Sequence, residues 1–298
     1  MIRLLTFILL STPLIGAYAI FGLGIVVIYR ASRVLNLAHG AMAMVAAYLV
    51  YSMDKAGLPM LLSFPLGVIS GGLLGLVIER LFVRSLRAVS TTAQTVGTVA
   101  AFGLLVAGAG KIWGTGSVSA PNVFPDGPGD VIEISTSAIR YGEIGLLVVM
   151  LIVAGALFAL LQYTDVGLAM RGAADNRRAA ILMGIDPDLS TSAAWVLGGA
   201  TAAIAGILLA AIGGLNPLVL SLQAIPAFVV VLVGGLESLP GALVGAAIIG
   251  STQGLVPALD FLRKIEGTPQ LLLAVLALVV MGLRGDRLVA TDVRRADI

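Results

Sequence analysis

Long apolar stretches separated by short polar breaks are the feature that most limits how this chain can fold. Only 11% of its 298 residues are charged, against roughly 25% in soluble domains, so most of the sequence suits a bilayer. A crossing helix needs about 20 apolar residues, and the continuous, non-alternating runs exclude barrel strands. We predict an all-α, polytopic transmembrane helical bundle of eight to nine spans, folded as a single domain over residues 1–298. The predicted spans are residues 4–28, 35–53, 60–79, 91–112, 142–163, 191–213, 224–236, 239–258 and 269–283.

Glycine and proline positions refine this prediction. Paired small residues such as Gly71-Gly72 and Gly198-Gly199 predict close contact between helix backbones. The stretch 224–236 is short for a full crossing, and Pro226 near its start favours a tilted, half-depth or discontinuous helix.

Arginine positions predict the orientation in the membrane. Twelve of the 18 Lys and Arg residues fall on one side if nine crossings alternate, and the positive-inside rule makes that side cytoplasmic. The N-terminus is then outside, and the tail 284–298 is cytoplasmic. The longest outer loop is 113–141, in which residues 125–127 predict a turn and residues 131–135 a short strand.

One charge-rich stretch, residues 164–190, stands between two predicted spans on the cytoplasmic side, and we call it the basic segment. Thr164 or Asp165 can cap its start, residues 184–187 can end it, and the stretch between them predicts one helix. The apolar side of this helix would carry Ala169, Met170, Ala173, Ala180 and Ile181, and the charged side Arg171, Asp175 and Arg178. An ordinary inside loop explains the arginines. A short helix that docks into a groove on a soluble partner also explains the small residues and the terminal turn.

Catalytic and nucleotide-binding motifs are absent from the sequence. It contains no cysteine and one histidine, His39, which excludes thiol chemistry and a two-histidine zinc motif. No Gly-x-Ser-x-Gly elbow occurs, and residues 108–112 lack the hydroxyl after Lys111 that a phosphate-binding Walker loop requires. We therefore expect a protein that is not an enzyme, has no cofactor or metal of its own, binds no nucleic acid, and relies on another chain for any use of ATP.

Polar residues inside the predicted spans are candidates for a translocation pathway, because intramembrane polar groups face a bundle interior or a cavity. They are Asn36, His39 and Gly40 at the predicted inner start of the second span, and Gln94, Thr95 and Thr98 in the fourth. Alternatively, Asn36 caps its helix, His39 is a satisfied interfacial residue, and the threonines bond to their own helix backbone. Glu79 and Glu237 are expected near the inner surface, solvated and paired at helix ends.

Three blocks of the sequence resemble the LivH-type permeases of the branched-chain amino-acid family of ABC importers. Residues 167–185 resemble the coupling loop of that family, residues 36–40 (Asn-Leu-Ala-His-Gly) its first signature, and residues 234–245 its third block. The blocks occur in the order of the family and cover nearly the whole chain.

The resemblance implies one permease subunit of a bacterial inner-membrane importer, forming half of a pore. The implied partners are a second, LivM-like permease, two cytoplasmic ATPase subunits that bind the ATP, a periplasmic substrate-binding protein and membrane lipid. The implied ATPase contact consists of Arg171, Gly172, Ala174, Asp175, Asn176, Arg178 and Gly184. The cargo of the family is leucine, isoleucine and valine, or in close relatives urea, short amides or other amino acids. An ion-coupled secondary transporter is the alternative, and it would need intramembrane acids as ion ligands.

Overall fold

The computed structural model describes residues 11–124, 131–134, 137–256 and 267–293. These residues form a helical bundle with one two-stranded hairpin. The helix Met60–Ile78, called α3 below, continues into a π-helical stretch, Glu79–Arg84. The elements are α1 (Thr12–Ser32), α2 (His39–Lys55), α3 (Met60–Ile78), α4 (Thr91–Trp113), β1 (Val131–Ile134), β2 (Ser137–Arg140), α5 (Tyr141–Tyr163), α6 (Asp165–Asp175), α7 (Arg177–Leu182), α8 (Pro187–Gly213), α9 (Pro217–Leu222), α10 (Ala224–Gly234), α11 (Leu239–Leu255) and α12 (Thr268–Val293).

Six helical stretches in the described part of the chain are long and apolar enough to cross a membrane. They are Thr12–Ser32, Met60–Arg84, Thr91–Trp113, Ile144–Tyr163, Pro187–Gly213 and Pro217–Gly234. Helices α2 and α11 have 17 residues each, and α12 contributes a shorter apolar stretch. The helical membrane fold is therefore confirmed, whereas the eight to nine crossings and the orientation stay predictions.

The predicted discontinuity in the seventh span is present, but it lies ahead of the predicted stretch. Helix α9 ends at Leu222 and α10 begins at Ala224, so the break is at Gln223. Pro226 then falls in the first turn of α10, where a missing backbone N–H needs no helical partner.

Helix α8 is the centre of the bundle and packs against α1, α2 and α3. The largest fully buried side chains include Trp195 of α8 and Tyr18 and Phe21 of α1. Helix α3 instead turns apolar side chains outward, with Leu61 85% exposed. Apolar residues on both the inside and the outside are the pattern of a helix that is partly surrounded by lipid.

Glycines bring α3 and α8 into backbone contact. A Cβ atom placed on Gly75 would lie 2.1 Å from the carbonyl oxygen of Trp195, and one on Gly199 would lie 2.2 Å from that of Gly71. Both distances are too short for any side chain. The small-residue contact predicted from the glycine pairs is therefore confirmed, and we call it the glycine seam.

The hairpin and one bridge organise the loops that follow α4 and α8. Strand β1 pairs with β2 in antiparallel register, which confirms the strand predicted after residue 130, whereas the predicted turn at 125–127 lies outside the described residues. Val118 and Leu215 exchange two backbone hydrogen bonds of 2.9 and 2.8 Å. The start of the 113–141 loop is thereby fixed to the connection between α8 and α9.

Candidate functional site

The non-helical segment between α1 and α2 lies inside the bundle. Asn36 is 1% exposed, and its Oδ1 accepts a hydrogen bond of 3.1 Å from the backbone N–H of Ala38. The backbone N–H of Leu37 donates to Oγ1 of Thr98 at 3.0 Å, and the same oxygen lies 3.2 Å from the Leu35 carbonyl oxygen. The two predicted groups of pathway residues therefore meet, with Thr98 holding the backbone of residues 35–37 against α4.

His39 lies at half the height of the bundle and not at its inner surface, where the sequence predicted it. A Cβ atom on Gly24, near the middle of α1, would lie 2.9 Å from Nε2 of His39 and 2.2 Å from Oγ1 of Thr201, near the middle of α8. Helix α2 therefore begins deep inside, because residues 33–38 run inward before the helix starts. The ring of His39 packs edge-on against Phe21 at 5.1 Å, and neither ring nitrogen has a hydrogen-bond partner among the described residues.

The break between α9 and α10 faces the start of α2. A Cβ atom on Gly40 would lie 1.9 Å from the carbonyl oxygen of Ser221 and 2.9 Å from Cβ of Ala224. Only glycine allows this approach. Residues 35–40, Thr98 and the break at Gln223 thus form one mid-bundle junction, where one helix begins and another is interrupted.

Three further polar side chains lie beside this junction. The hydroxyl of Tyr18 donates to Oε1 of Gln253 at 2.8 Å and lies 3.3 Å from Oε1 of Gln223. In the sequence, Tyr18 and Gln223 are isolated polar residues in apolar runs, and only the prolines around residue 223 signal anything unusual there. Gln94 and Thr95 lie one turn before Thr98 on α4, with Gln94 8% exposed and Thr95 half-buried.

The basic segment forms two helices instead of the single predicted one. Oγ1 of Thr164 accepts from the N–H of Gly167 at 3.2 Å and caps α6, as predicted. Oδ1 of Asn176 accepts from the N–H of Ala179 at 3.0 Å and caps α7. The helix breaks at Asn176 because asparagine in an extended conformation is a better cap than an interior residue. Gly184, with φ of 77°, makes the predicted turn that follows.

The apolar side of the basic segment differs from the prediction at Ile181. Met170 and Ala180 are each 4% exposed, as expected for packed residues, whereas Ile181 is 56%, Leu182 87% and Met183 80% exposed. The break at Asn176 rotates α7 relative to α6, so these three side chains form an exposed apolar tip. Arg178 and Asp175 are exposed, and Gly172 and Ala174 are half-buried. Arg171 donates to Oε1 of Gln162 at 2.7 Å.

Ion pairs connect the basic segment to the end of α3. Asp188, in the first turn of α8, accepts hydrogen bonds from Arg177 and from Arg87, the latter at 2.5 Å. Arg84 donates to Oε1 of Glu79 at 3.1 Å, and Oγ of Ser192 donates to Oε2 of Glu79 at 3.0 Å.

Glu79 is 0% exposed, so the prediction that it is solvated is wrong, although its predicted pairing is present. Glu79 is the first residue of the π-helical stretch, and its carboxylate lies against Ser192 of α8. The other predicted acid, Glu237, pairs with Arg33 and is 54% exposed. Burial lowers the pKa of Arg33, but the hydrogen bond and charge of Glu237 raise that pKa by more.

Comparison with known proteins relates most of the chain to transport permeases. Residues 7–283 match the model of a family described as "Branched-chain amino acid transport system / permease component". The probable branched-chain amino acid transport permease LivH of Methanocaldococcus jannaschii is 30% identical over 88% of this chain and 84% of its own length. LivH of Salmonella typhimurium is 26% identical over 82% of each chain, and BraD of Pseudomonas aeruginosa is 26% identical over 79% and 80%.

A solved structure has a similar fold. PsaBC from Streptococcus pneumoniae in complex with Fab superposes with a TM-score of 0.50 and 14% identity, over 92% of this chain and 89% of the other. The likeness extends over most of the length of both chains and concerns the fold alone.

Proposed function

We propose that this chain, which belongs to the family of permease components of branched-chain amino acid transport systems, imports branched-chain amino acids or related small solutes. In this proposal the chain is a multi-pass inner-membrane protein that forms half of a pore with a second, LivM-like permease. Two ATPase subunits bind and hydrolyse the ATP on the cytoplasmic side, and a periplasmic binding protein delivers the substrate. The chain itself is not an enzyme and carries no cofactor.

The observation that best supports an ATPase partner is the exposed apolar tip of the basic segment. Ile181, Leu182 and Met183 project away from a segment whose two helices are each capped. An exposed apolar patch that is surrounded by charged and polar residues is typical of a protein contact. The ion pairs of Asp188 with Arg87 and Arg177 give the tip a direct connection to α8 and to the end of α3.

The mid-bundle junction supports the substrate pathway. Transport proteins commonly place substrate where a helix is interrupted near the bilayer midplane, because the interruption frees backbone groups to bind it. Here α2 begins and the α9–α10 stretch breaks at the same height, beside Gln223 and Tyr18. We expect the substrate to pass along this junction as the two permeases alternate between outward-open and inward-open states, each state being favoured by the partner that binds it more tightly.

The ATPase contact is tested by replacing Gly172, Asp175 and Arg178 together with alanine, which leaves Arg171 and its hydrogen bond to Gln162 in place. A Cβ atom on Gly172 would meet only the end of Ile185, at 3.7 Å, so we expect the variant to insert and fold normally. Uptake of radiolabelled leucine should be lost while the amount of protein in the membrane is unchanged. Normal uptake by this variant would contradict the proposed coupling role.

A single substitution isolates the apolar tip. Leu182→Gln should abolish co-purification of the ATPase subunits without unfolding the chain, since Leu182 has few contacts to lose. The matched control is Leu218→Gln, an exposed leucine (51%) near the opposite end of α8. Equal ATPase recovery from the two variants would rule out the tip as the docking surface.

Competition of leucine uptake by urea and short amides then identifies the cargo.

A further inference from the structure

A cleft lies between the end of α1, the end of α5 and the basic segment. Its inner and outer parts are both lined by Arg30, Leu161, Arg171 and Glu237, and the inner part also by Arg33 and Asp175. The outer part adds Phe158 and Leu239. The outer part therefore combines two guanidinium groups with the side chains of helices that border the membrane.

The outer part of the cleft keeps a net positive charge, because Arg30 and Arg171 are accompanied there by a single carboxylate, that of Glu237. Glu237 is already paired with Arg33. Arg171 donates to the neutral side chain and backbone of Gln162, and Arg30 has no hydrogen bond or ion pair with any residue in the described ranges. Neither arginine forms an ion pair with a carboxylate among the described residues, although Glu237 and Asp175 line the cleft, so both guanidinium groups are available to a ligand with a negative charge.

We propose that the outer part of this cleft binds the phosphate of an anionic phospholipid. Guanidinium groups bind phosphate oxygens in pairs of parallel hydrogen bonds, and basic pockets between membrane helices on the cytoplasmic side suit such headgroups. Phe158, 46% exposed, lies on a membrane-spanning helix about one turn before Gln162, so an acyl chain can continue from the phosphate along α5. The assignment to the inner leaflet rests on the orientation in the proposed function.

The location of the cleft favours a lipid over an acidic side chain of the ATPase. The cleft is walled by the face of α6 that turns towards α1, whereas the exposed tip belongs to α7. An ATPase docked on the tip would still leave the Phe158 side open to the bilayer.

The test is thermal unfolding of the full chain in a mild detergent, titrated with phosphatidylglycerol, phosphatidylcholine or inorganic phosphate. Phosphatidylglycerol should raise the unfolding midpoint, and the Arg30→Gln/Arg171→Gln variant should need about 25-fold more of it, taking about fivefold per arginine. Arg80→Gln removes an exposed arginine outside the cleft and should behave as the unaltered chain. If the double variant fails to fold, Arg30→Gln alone removes no hydrogen bond and should show the fivefold effect.

Native mass spectrometry of the same samples should show a retained phosphatidylglycerol in the unaltered chain and in Arg80→Gln, and none in the double variant. Equal protection by phosphatidylcholine would overturn the proposal, because no headgroup would be recognised. Equal protection by inorganic phosphate would overturn the lipid as the source. Unchanged lipid binding in the double variant together with loss of the ATPase would assign the arginines to that partner. None of these lipid outcomes depends on uptake, so they are separable from the proposed transport function.

Discussion

Replacing Gly40 with alanine tests whether the mid-bundle junction depends on backbone contact between α2 and α9. The new Cβ atom would lie 1.9 Å from the Ser221 carbonyl oxygen, whereas ordinary contact begins at 3.4 Å, so the two backbones would have to separate by about 1.5 Å. Overpacking costs about 1–3 kcal/mol, and a backbone atom cannot rotate away, which favours the upper value. Alanine gains at most about 1 kcal/mol in helix propensity, so we expect a net destabilisation of about 2 kcal/mol.

The assay compares Gly40→Ala with Gly108→Ala in α4, where a Cβ atom meets nothing within 4 Å. Unfolding of both purified variants by titration of a denaturing detergent gives the difference in free energy, and uptake of radiolabelled leucine gives the functional effect. Gly108→Ala should be as stable as the unaltered chain or more so, and Gly40→Ala should lose both stability and uptake. Equal stability of the two variants would refute the close approach and the pathway built on it.

Three further substitutions examine single contacts. Glu79→Gln should destabilise the chain by about 2–3 kcal/mol in the same unfolding titration, since it breaks a buried ion pair whose arginine is partly solvated. Glu237→Gln, at an exposed ion pair, should cost under about 1 kcal/mol. Equal effects of the two substitutions would contradict the burial of Glu79. Asn176→Ala should cost about 1 kcal/mol of cap energy and speed amide exchange in residues 177–182 only, and unchanged exchange there would show that the cap does not hold α7. Trp113→Phe removes the 2.8 Å hydrogen bond from Nε1 to Oγ of Ser52 and should lower the free energy of unfolding by about 1 kcal/mol. Ser52→Ala should lower it by the same amount. Additive losses in the double variant would count against the hydrogen bond.

The sequence predicts the helices well wherever local chemistry fixes their ends. Thr164 caps α6, because threonine is favoured at a helix N-cap. Gly184 makes the turn that ends the basic segment, because glycine readily adopts the positive φ that this turn requires. The break at Asn176 was missed although its signal is local: asparagine before two arginines can serve as a cap as well as an interior residue. Apolar spacing alone does not distinguish one helix from two capped ones.

The site residues depend on contacts that no local pattern contains. Glu79 is buried because Ser192, separated from it by 113 positions, donates to it, and Tyr18 reaches Gln253 across 235 positions. Asn36 and Thr98 were both predicted as pathway residues, but the hydrogen bonds that join their segments became evident only in three dimensions. The depth of His39 follows from the inward course of residues 33–38. The apolar pattern predicts that the helix begins at residue 35, whereas α2 begins at His39.

The glycine seam limits which parts of the protein can move during transport. Sliding α3 along α8 by one turn would bring Ile78, which lies on the same face as Gly75, against the carbonyl oxygen of Trp195, where only hydrogen fits. The close contact therefore favours movement of α3 and α8 as one rigid unit. Under the proposed coupling, a force on Arg177 would reach this unit through Asp188, in the first turn of α8, and we expect the bending to occur where the unit borders α5 and α12.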